Sequence, residues 1–398
     1  MNAIDFETRR RHFRELAGGA PAVLPAASRA FRTRDTEYPF RQDSDFHYLT
    51  GFPDPDAVAF LDEDRFLLFV PPRDPEKEIW EGEREGVNGA ARYGATGHPI
   101  DRLEPFLSDS LRQAGRVYFP LAKNARLGSW LRGHVAARKG GAAPEIADPG
   151  SILARLRVRK EPAEVERIET AARISARAHA EAASAIAPGR REYEIQAVVE
   201  SAFRAAGASG PAYPSIVASG ANATILHYTR NDRVIERGDL VLLDAGAEWD
   251  LYAADITRTH PAGAPSPEQA AVLAIVAEAQ EAGIRACRPG STVGDVHRMS
   301  QEVLARGLVE LGVLTGGVSE ILESDRQKPF TLHRTSHWLG LDVHDAGPAG
   351  DVALEPGMVL TVEPGLYFRD RDGKLSGIGV RIEDDVLVTA EGPRVLSR

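Results

Sequence analysis

Apolar runs and turn residues divide this chain into two unequal parts. Up to about Gly150, short apolar runs such as Phe66-Leu67-Leu68-Phe69-Val70 alternate with proline-bearing turns, Asp54-Pro55 and Pro71-Pro72. That is the pattern of an α/β domain with short strands. Gly140-Gly141-Ala142-Ala143-Pro144 and Asp148-Pro149-Gly150 mark a linker, which places the domains at residues 1–155 and 156–398. Beyond it, Pro162 stands where a first helical turn tolerates proline, and the segment is helix-forming to about Ala187, before Pro188-Gly189 stops it. A second helix is expected from about Arg191 to Ala206, ended by Gly207. Ser266-Pro267-Glu268-Gln269 has the form of a capping box opening a helix that ends near Pro289-Gly290, and Thr292 with Asp295 opens another.

Each of these helix pairs leads into strand-like runs that carry two acids. Asp244 closes Leu240-Val241-Leu242-Leu243, and Asp255 follows the turn-prone stretch Glu248-Trp249-Asp250-Leu251. With Trp249-Asp250 as the loop, Asp244 falls directly opposite Asp255, with Cβ atoms about 4.5–5.5 Å apart. Two carboxylates so placed in an apolar setting repel and lose solvation, so at least one stays protonated unless a cation sits between them. A divalent metal is the simplest remedy. In the second set, Pro364 holds Glu363 in an extended conformation and Gly365 allows close approach. On Val380-Arg381-Ile382-Glu383-Asp384, Arg381 and Glu383 share one face. Arg381 then either faces the reacting groups or forms an ion pair that holds Glu383. The order helix, helix, strands with two acids occurs twice, a duplication of elements without a residue-level repeat.

Any one strand-end acid is more simply solvated or paired with Lys or Arg. The stretch from His333 to Asp345 changes that weighting, for it holds His333, His337 and His344, three of the eleven histidines in the chain. His333 and His337 have the spacing of two ligands on a helical turn, but no glutamate follows His333, so the HExxH pattern is absent. Gly340 and the alternation Leu341-Asp342-Val343-His344 read as a turn into a strand. One ligand, His337, with two polar helpers is therefore preferred, and His260 and His297 are assigned structural or surface roles. Asp244, Asp255, Glu363 and Glu383 with a neutral His337 carry four negative charges, which two divalent ions would cancel. Oxygen-rich ligation with one nitrogen and no sulfur favours manganese, then cobalt, iron or zinc.

The string HRTSHWLGLDVHD closely resembles the signature of aminopeptidase P, the Xaa-Pro aminopeptidases of the pita-bread metallopeptidase superfamily, which also holds prolidase, methionine aminopeptidase and creatinase. The rest of that family's pattern follows in order: ILHYTRND around His227, LLDAGAEWDLYAADITRT around Asp244 and Asp255, LTVEPGLY around Glu363, and GVRIEDDVLVT around Glu383. The segment YPFRQDSDFHYLTGFPDPDAV is similar as well, so the resemblance runs from about Tyr38 to the end.

The resemblance implies an α/β (α+β) chain, with a smaller N-terminal α/β domain followed by a pseudo-symmetric pita-bread catalytic domain that holds two metals between its halves. It implies that Asp244, Asp255, His337, Glu363 and Glu383 are the metal ligands, with Asp255 and Glu383 bridging. It places His227 near the scissile carbonyl, His333 and His344 along the proline subsite, and Arg381 beside the metals. A water or hydroxide between two metals would be the nucleophile, and Glu363 would also carry its proton to the leaving prolyl nitrogen. An Xaa-Pro bond lacks the proline N–H and has a fixed φ, so it needs a dedicated pocket. The activity implied is release of the first residue from peptides with proline at position two. Prolidase, which accepts only dipeptides, is the alternative. A catalytically dead pita-bread binding protein would be signalled by lost ligands, and all five are present. Phe46, Tyr48 and Phe52 are read as packing of the N-terminal domain, with a wall of the site as the other reading.

Composition removes several other classes. A chain of 398 residues with 43% hydrophobic content suffices for two domains. The lone cysteine, Cys287, permits no intrachain disulfide and reads as a buried small hydrophobe. A net charge of −10 argues against nucleic acid as a partner. Met1 to Gly18 lacks the apolar core of a signal peptide, and no apolar run has the length of a membrane span. A cytoplasmic homo-oligomer, dimer or tetramer, is expected.

Overall fold

A computed structural model of the chain describes residues 2–137, 143–348, 350–369 and 373–398. Gly140, Gly141 and Ala142 of the expected linker lie outside the described residues. The chain forms two units, one of Ala3–Leu156 and one of Arg157–Arg398 together with Met1–Asn2.

The first unit is built on a mixed sheet of β1 (Ala22–Pro25), β2 (Val58–Leu61), β3 (Phe66–Val70), β4 (Thr96–Pro99), β5 (Arg116–Tyr118) and β6 (Glu145–Ala147), in the order β4-β3-β2-β1-β5-β6. Every residue of β1, β2 and β3 is buried, which is why these strands read as unbroken apolar runs rather than alternating ones. Helix α1 (Phe6–Ala17) reaches β5 through an edge contact of Phe13 with Tyr118. Leu103 and Leu107 of α2 (Leu103–Ser110) and Leu127 and Leu131 of α3 (Ala125–Ala136) pack on Val23, Val58, Phe60 and Phe69. Phe46, Tyr48 and Phe52 are buried, Tyr48 beneath the Arg9 guanidinium and Phe52 against Tyr93. The expected linker is in part structural. Glu145–Ala147 pairs with β5 as an edge strand, and Gly150 opens a helix rather than a loop.

In the second unit the helices follow their capping signals. α4 (Pro162–Ala185) and α5 (Glu192–Ala205) come first. α6 (Pro267–Ala286) and α7 (Val293–Glu310) each open on a reciprocal capping box, Ser266 with Gln269 and Thr292 with Asp295. Cys287, just past α6, is buried. After the first pair, β7 (Ile216–Ser219), β8 (Leu240–Asp244) and β11 (Thr257–Pro261) form one sheet, while β9 (Ala247–Trp249) and β10 (Tyr252–Ala253) form a hairpin beside it. After the second pair, β12 (Val359–Val362), β15 (Asp384–Thr389) and β16 (Gly392–Val395) form a sheet, and β13 (Gly365–Tyr367) pairs with β14 (Gly379–Arg381). Helices cover each strand set: Ile195, Val199 and Phe203 of α5 meet Val241 and Leu243, whereas Val276 of α6 and Leu304 of α7 meet Leu366 and Val380.

The hairpin register differs from the expected one. Trp249 pairs with Tyr252, so the loop is Asp250-Leu251, both at positive φ (49° and 68°), as a two-residue turn that matches strand twist requires. Asp244 consequently faces Thr257, and Asp255 sits two places away. A slip of one residue would have turned Asp255 to the opposite face, but a slip of two keeps it on the same one. Gly246 lets the strands close here, because a Cβ there would lie 1.8 Å from the Ala254 carbonyl oxygen. Residues 341–344, expected as a strand, form bends instead.

α4 also buries His179, 4% exposed, whose Nε2 donates to the Ala245 carbonyl at 2.8 Å. Burial pushes its pKa down to about 3. The folded state thus holds the neutral ring, and its contribution to stability is complete above the ordinary value of about 6.5 and lost as pH falls toward 3. His179→Gln keeps a donor for Ala245, so its urea midpoint at pH 4, taken relative to pH 7, should stand higher than that of the parent chain, both measured without metal.

Candidate metal centre

The two strand sets deliver their acids to one cavity of about 820 Å³, whose lining includes His227, Asp244, Asp255, His333, His337, His344, Glu363, Arg381 and Glu383. All nine residues singled out in the sequence are there. Asp244 ends β8, Asp255 lies between β10 and β11, Glu363 follows β12, and Glu383 joins β14 to β15. Ligand atoms of Asp255, His337 and Glu383 lie within 4.8 Å of one another.

Hydrogen bonds from outside the cavity aim these groups. His337 Nδ1 lies 3.0 Å from the Trp338 carbonyl oxygen, an acceptor, so Nδ1 carries a proton and Nε2 is the nitrogen turned into the cavity. That nitrogen faces Asp255 Oδ2 (3.4 Å) and Glu363 Oε1 (3.5 Å). Thr257 Oγ1 donates to Glu383 Oε2 at 2.6 Å, and the Asp255 backbone N–H is held by both Asp385 oxygens at 3.2 Å. Tyr213 Oη lies 2.6 Å from Asp244 Oδ1 and 2.5 Å from Asp255 Oδ1, bridging the pair. Arg381 Nη2 donates to Asp244 at 2.5 Å, so of its two readings the ion pair with Glu383 does not form, and Asp244 is its partner.

Without a cation this is a costly arrangement, and the carboxyl groups register it. Burial, then neighbouring carboxylates, hold Glu383 well above the usual range. Burial raises Glu363 to about 7 against the pull of His337 and Arg381, and raises Asp244 despite Arg381. Burial would lower His337, but Asp255 and Glu363 outweigh it and carry the ring to about 9. Lone pairs and like charges converge where a cation would relieve them.

His333 is oriented differently. Its Nδ1 donates to the Arg334 carbonyl at 2.8 Å and its Nε2 accepts from Tyr367 Oη at 2.7 Å. Burial, with Arg381 nearby, lowers its pKa to about 4, so it is neutral. His344 stands edge-on to His337, ring centroids 4.4 Å apart. Behind it, Asp345 is buried between Lys160 Nζ, 3.1 Å away, and Arg157, which fixes the loop carrying His344. Of the two histidines outside the motifs, His297 Nδ1 lies 2.9 Å from Thr335 Oγ1, a structural role.

Comparison with known proteins agrees with this geometry. Residues 166–390 match the model for metallopeptidase family M24, and residues 6–118 match the aminopeptidase P N-terminal domain. The chain belongs to metallopeptidase family M24. Similar M24 relatives include the Xaa-Pro aminopeptidases of Haemophilus influenzae and Escherichia coli, each 38% identical, over 99% of this chain and 94% of the former, and 98% and 93% for the latter. Aminopeptidase PepP of Pseudomonas aeruginosa superposes with a TM-score of 0.94 at 43% identity, covering 100% of this chain and 96% of that one. Aminopeptidase P from E. coli superposes at 0.94 with 36% identity and the same coverage. The second unit is thus a pita-bread M24 domain, and the enzyme is a metallo-aminopeptidase.

Several M24 site residues escaped the sequence reading. Tyr367, Asp345 and Thr257 lie inside the strings that resemble aminopeptidase P, so a signal existed. Tyr213 and Lys160 gave none, because each finds its partner only after folding. Among the described residues, no helix is long and apolar enough to cross a membrane.

Proposed function

We propose that this chain releases the first residue from peptides whose second residue is proline, with Asp244, Asp255, His337, Glu363 and Glu383 holding two divalent ions, manganese by preference. The observation that carries the reading is the convergence of four carboxyl groups and the Nε2 of an imidazole on one cavity. Asp255 and Glu383 are assigned the bridging positions. When bound, the ions supply a water of lowered pKa as nucleophile and polarise the scissile carbonyl. Glu363 takes the water's proton and hands it to the prolyl nitrogen. That nitrogen has no hydrogen of its own to begin with, and it must gain one to leave. His227, exposed in the cavity, donates to the oxyanion that develops at the carbonyl. His333 and His344 line the proline subsite. Arg381 orients Asp244.

The test is hydrolysis of Ala-Pro-Ala and Ala-Pro after chelation, with and without added manganese. Cleavage of the tripeptide that depends on metal, with about two ions per chain by elemental analysis, is expected. Cleavage of the dipeptide alone points to a prolidase, and cleavage of neither under any metal overturns the peptidase reading.

A further inference from the structure

We infer that Glu192 is a positioning residue that holds His227 against the scissile carbonyl, an inference that rests on the role given to His227 above. The His227 imidazole makes no hydrogen bond to any described residue, so no polar partner of the ring fixes where it stands. The segment on either side is fixed, and by a single carboxylate. Glu192 Oε1 accepts from Ser219 N and Ser219 Oγ, both at 2.7 Å, and from Asn222 Nδ2 at 3.2 Å. Its Oε2 accepts from Tyr228 Oη at 2.8 Å and Arg233 N at 2.9 Å. The Glu192 backbone N–H donates to the Arg233 carbonyl at 3.0 Å. Donors from Ser219 to Arg233 thus meet at one point, and His227 lies inside the loop they close.

Glu192 is fully buried, at 0% exposure, and no Lys or Arg side chain among the described residues hydrogen-bonds to its oxygens. A buried carboxylate without a cation is costly unless its lone pairs are used. Here they are met by five donors and by the N-terminal end of α5, on whose first residue the charge sits. The two oxygens each accept from a backbone N–H, Ser219 on one side and Arg233 on the other. A carboxamide in either orientation sets its NH₂ against one of those N–H groups, neither of which can rotate away. Glu192→Gln therefore loosens the loop with almost no change in size. Tyr228 is the nearest of the five donors to His227, so the disturbance passes directly to it.

The experiment is a double-mutant cycle on the manganese-loaded enzyme with Ala-Pro-Ala as substrate, using Glu192→Gln, His227→Ala and the pair. Glu192→Gln should lower kcat about 10- to 100-fold, the scale of a misplaced reacting group, and shift KM far less. In the His227→Ala background the same change should cost under about twofold in kcat, and metal content should stay at the parent value. Tyr228→Phe removes one link and leaves the carboxylate in place, so it serves if Glu192→Gln does not fold. It should lower kcat less, and again only while His227 is present. Equal cost in both backgrounds, or full kcat in folded Glu192→Gln, overturns the inference. So does full kcat in His227→Ala, an outcome that leaves metal-dependent cleavage of Ala-Pro-Ala by the parent enzyme, and so the peptidase reading, intact.

Discussion

Glu383→Gln should abolish peptide hydrolysis while making the metal-free protein more stable. Glu383 is 2% exposed, with one oxygen engaged by Thr257 and the group crowded by Asp255 and Glu363. Glutamine keeps the shape and the hydrogen bond from Thr257 but removes the charge. With this proposed ligand to both ions altered, the metal stoichiometry should fall below two. The several kcal/mol that metals contribute to the transition state translate, at about 1.4 kcal/mol per tenfold, into a loss in kcat/KM on the order of a thousandfold or more. In the metal-free state the same change removes a buried like charge, so the thermal midpoint should rise by a few °C, given roughly 2–4 °C per kcal/mol for a domain of this size.

The pH dependence gives the sign independently. In the metal-free chain Glu363 is raised from 4.5 to about 7, and Glu383 and Asp244 are raised too. Between about pH 4.5 and 7 these carboxyls therefore hold more protons in the folded state than in the unfolded one, and their contribution to stability falls as pH rises through that window. Glu383→Gln should flatten this fall. Manganese should reverse it in the parent chain, since the ions bind the deprotonated groups. Thermal scans at pH 5 and 8, with chelator or with manganese, measure both effects. A metal-free Glu383→Gln that melts below the parent at pH 8, or one that still cleaves Ala-Pro-Ala, would contradict the assignment.

What the sequence made legible follows from how local each signal is. Four helices of the second unit, α4 to α7, were readable from caps and stops a few residues long, such as Ser266 with Gln269. The acids were readable because each stands at the end of an apolar run, inside a string that resembles aminopeptidase P. The hairpin register was not, because it depends on Leu251 adopting positive φ, which leucine seldom does outside a turn. The error did no harm to the site, for a two-residue slip preserves the face. Arg381 lines the cavity, as one of its two readings had it, and its ion pair is with Asp244 at the end of β8 rather than with Glu383 beside it. Tyr213, Lys160 and Glu192 were invisible for one shared reason. Their roles consist of contacts across tens of residues or more, and nothing in their neighbours along the chain marks them.

Arg381→Met should unfold the second unit more readily than any other single change to the cavity. The guanidinium is 4% exposed and all three of its nitrogens are in use: Nε donates to Thr257 Oγ1 at 3.1 Å, Nη1 to Tyr367 Oη at 3.0 Å, and Nη2 to Asp244 at 2.5 Å. Removing one partner of a buried pair leaves the other charge uncompensated, at a cost of about 3–5 kcal/mol, so the urea midpoint of the metal-free protein should fall by more than 1 M at about 1–3 kcal/mol per M. Lysine should recover little, because one ammonium cannot reach three acceptors that a planar fork serves together. Asp244→Asn in the Arg381→Met background should recover part of the stability by removing the orphaned charge, whereas the same change in the parent chain has no orphan to relieve. Catalysis should suffer through a second route. Tyr367 receives from Arg381 and donates to His333 Nε2, so losing the guanidinium releases the hydroxyl that orients His333 at the proposed proline subsite. We therefore expect kcat/KM on Ala-Pro-Ala to drop about 100-fold even when metal is saturating, the scale of a reacting group out of place by an ångström. A midpoint within 0.3 M of the parent, with activity unchanged, would mean that Arg381 neither holds Asp244 nor orders the Tyr367–His333 pair.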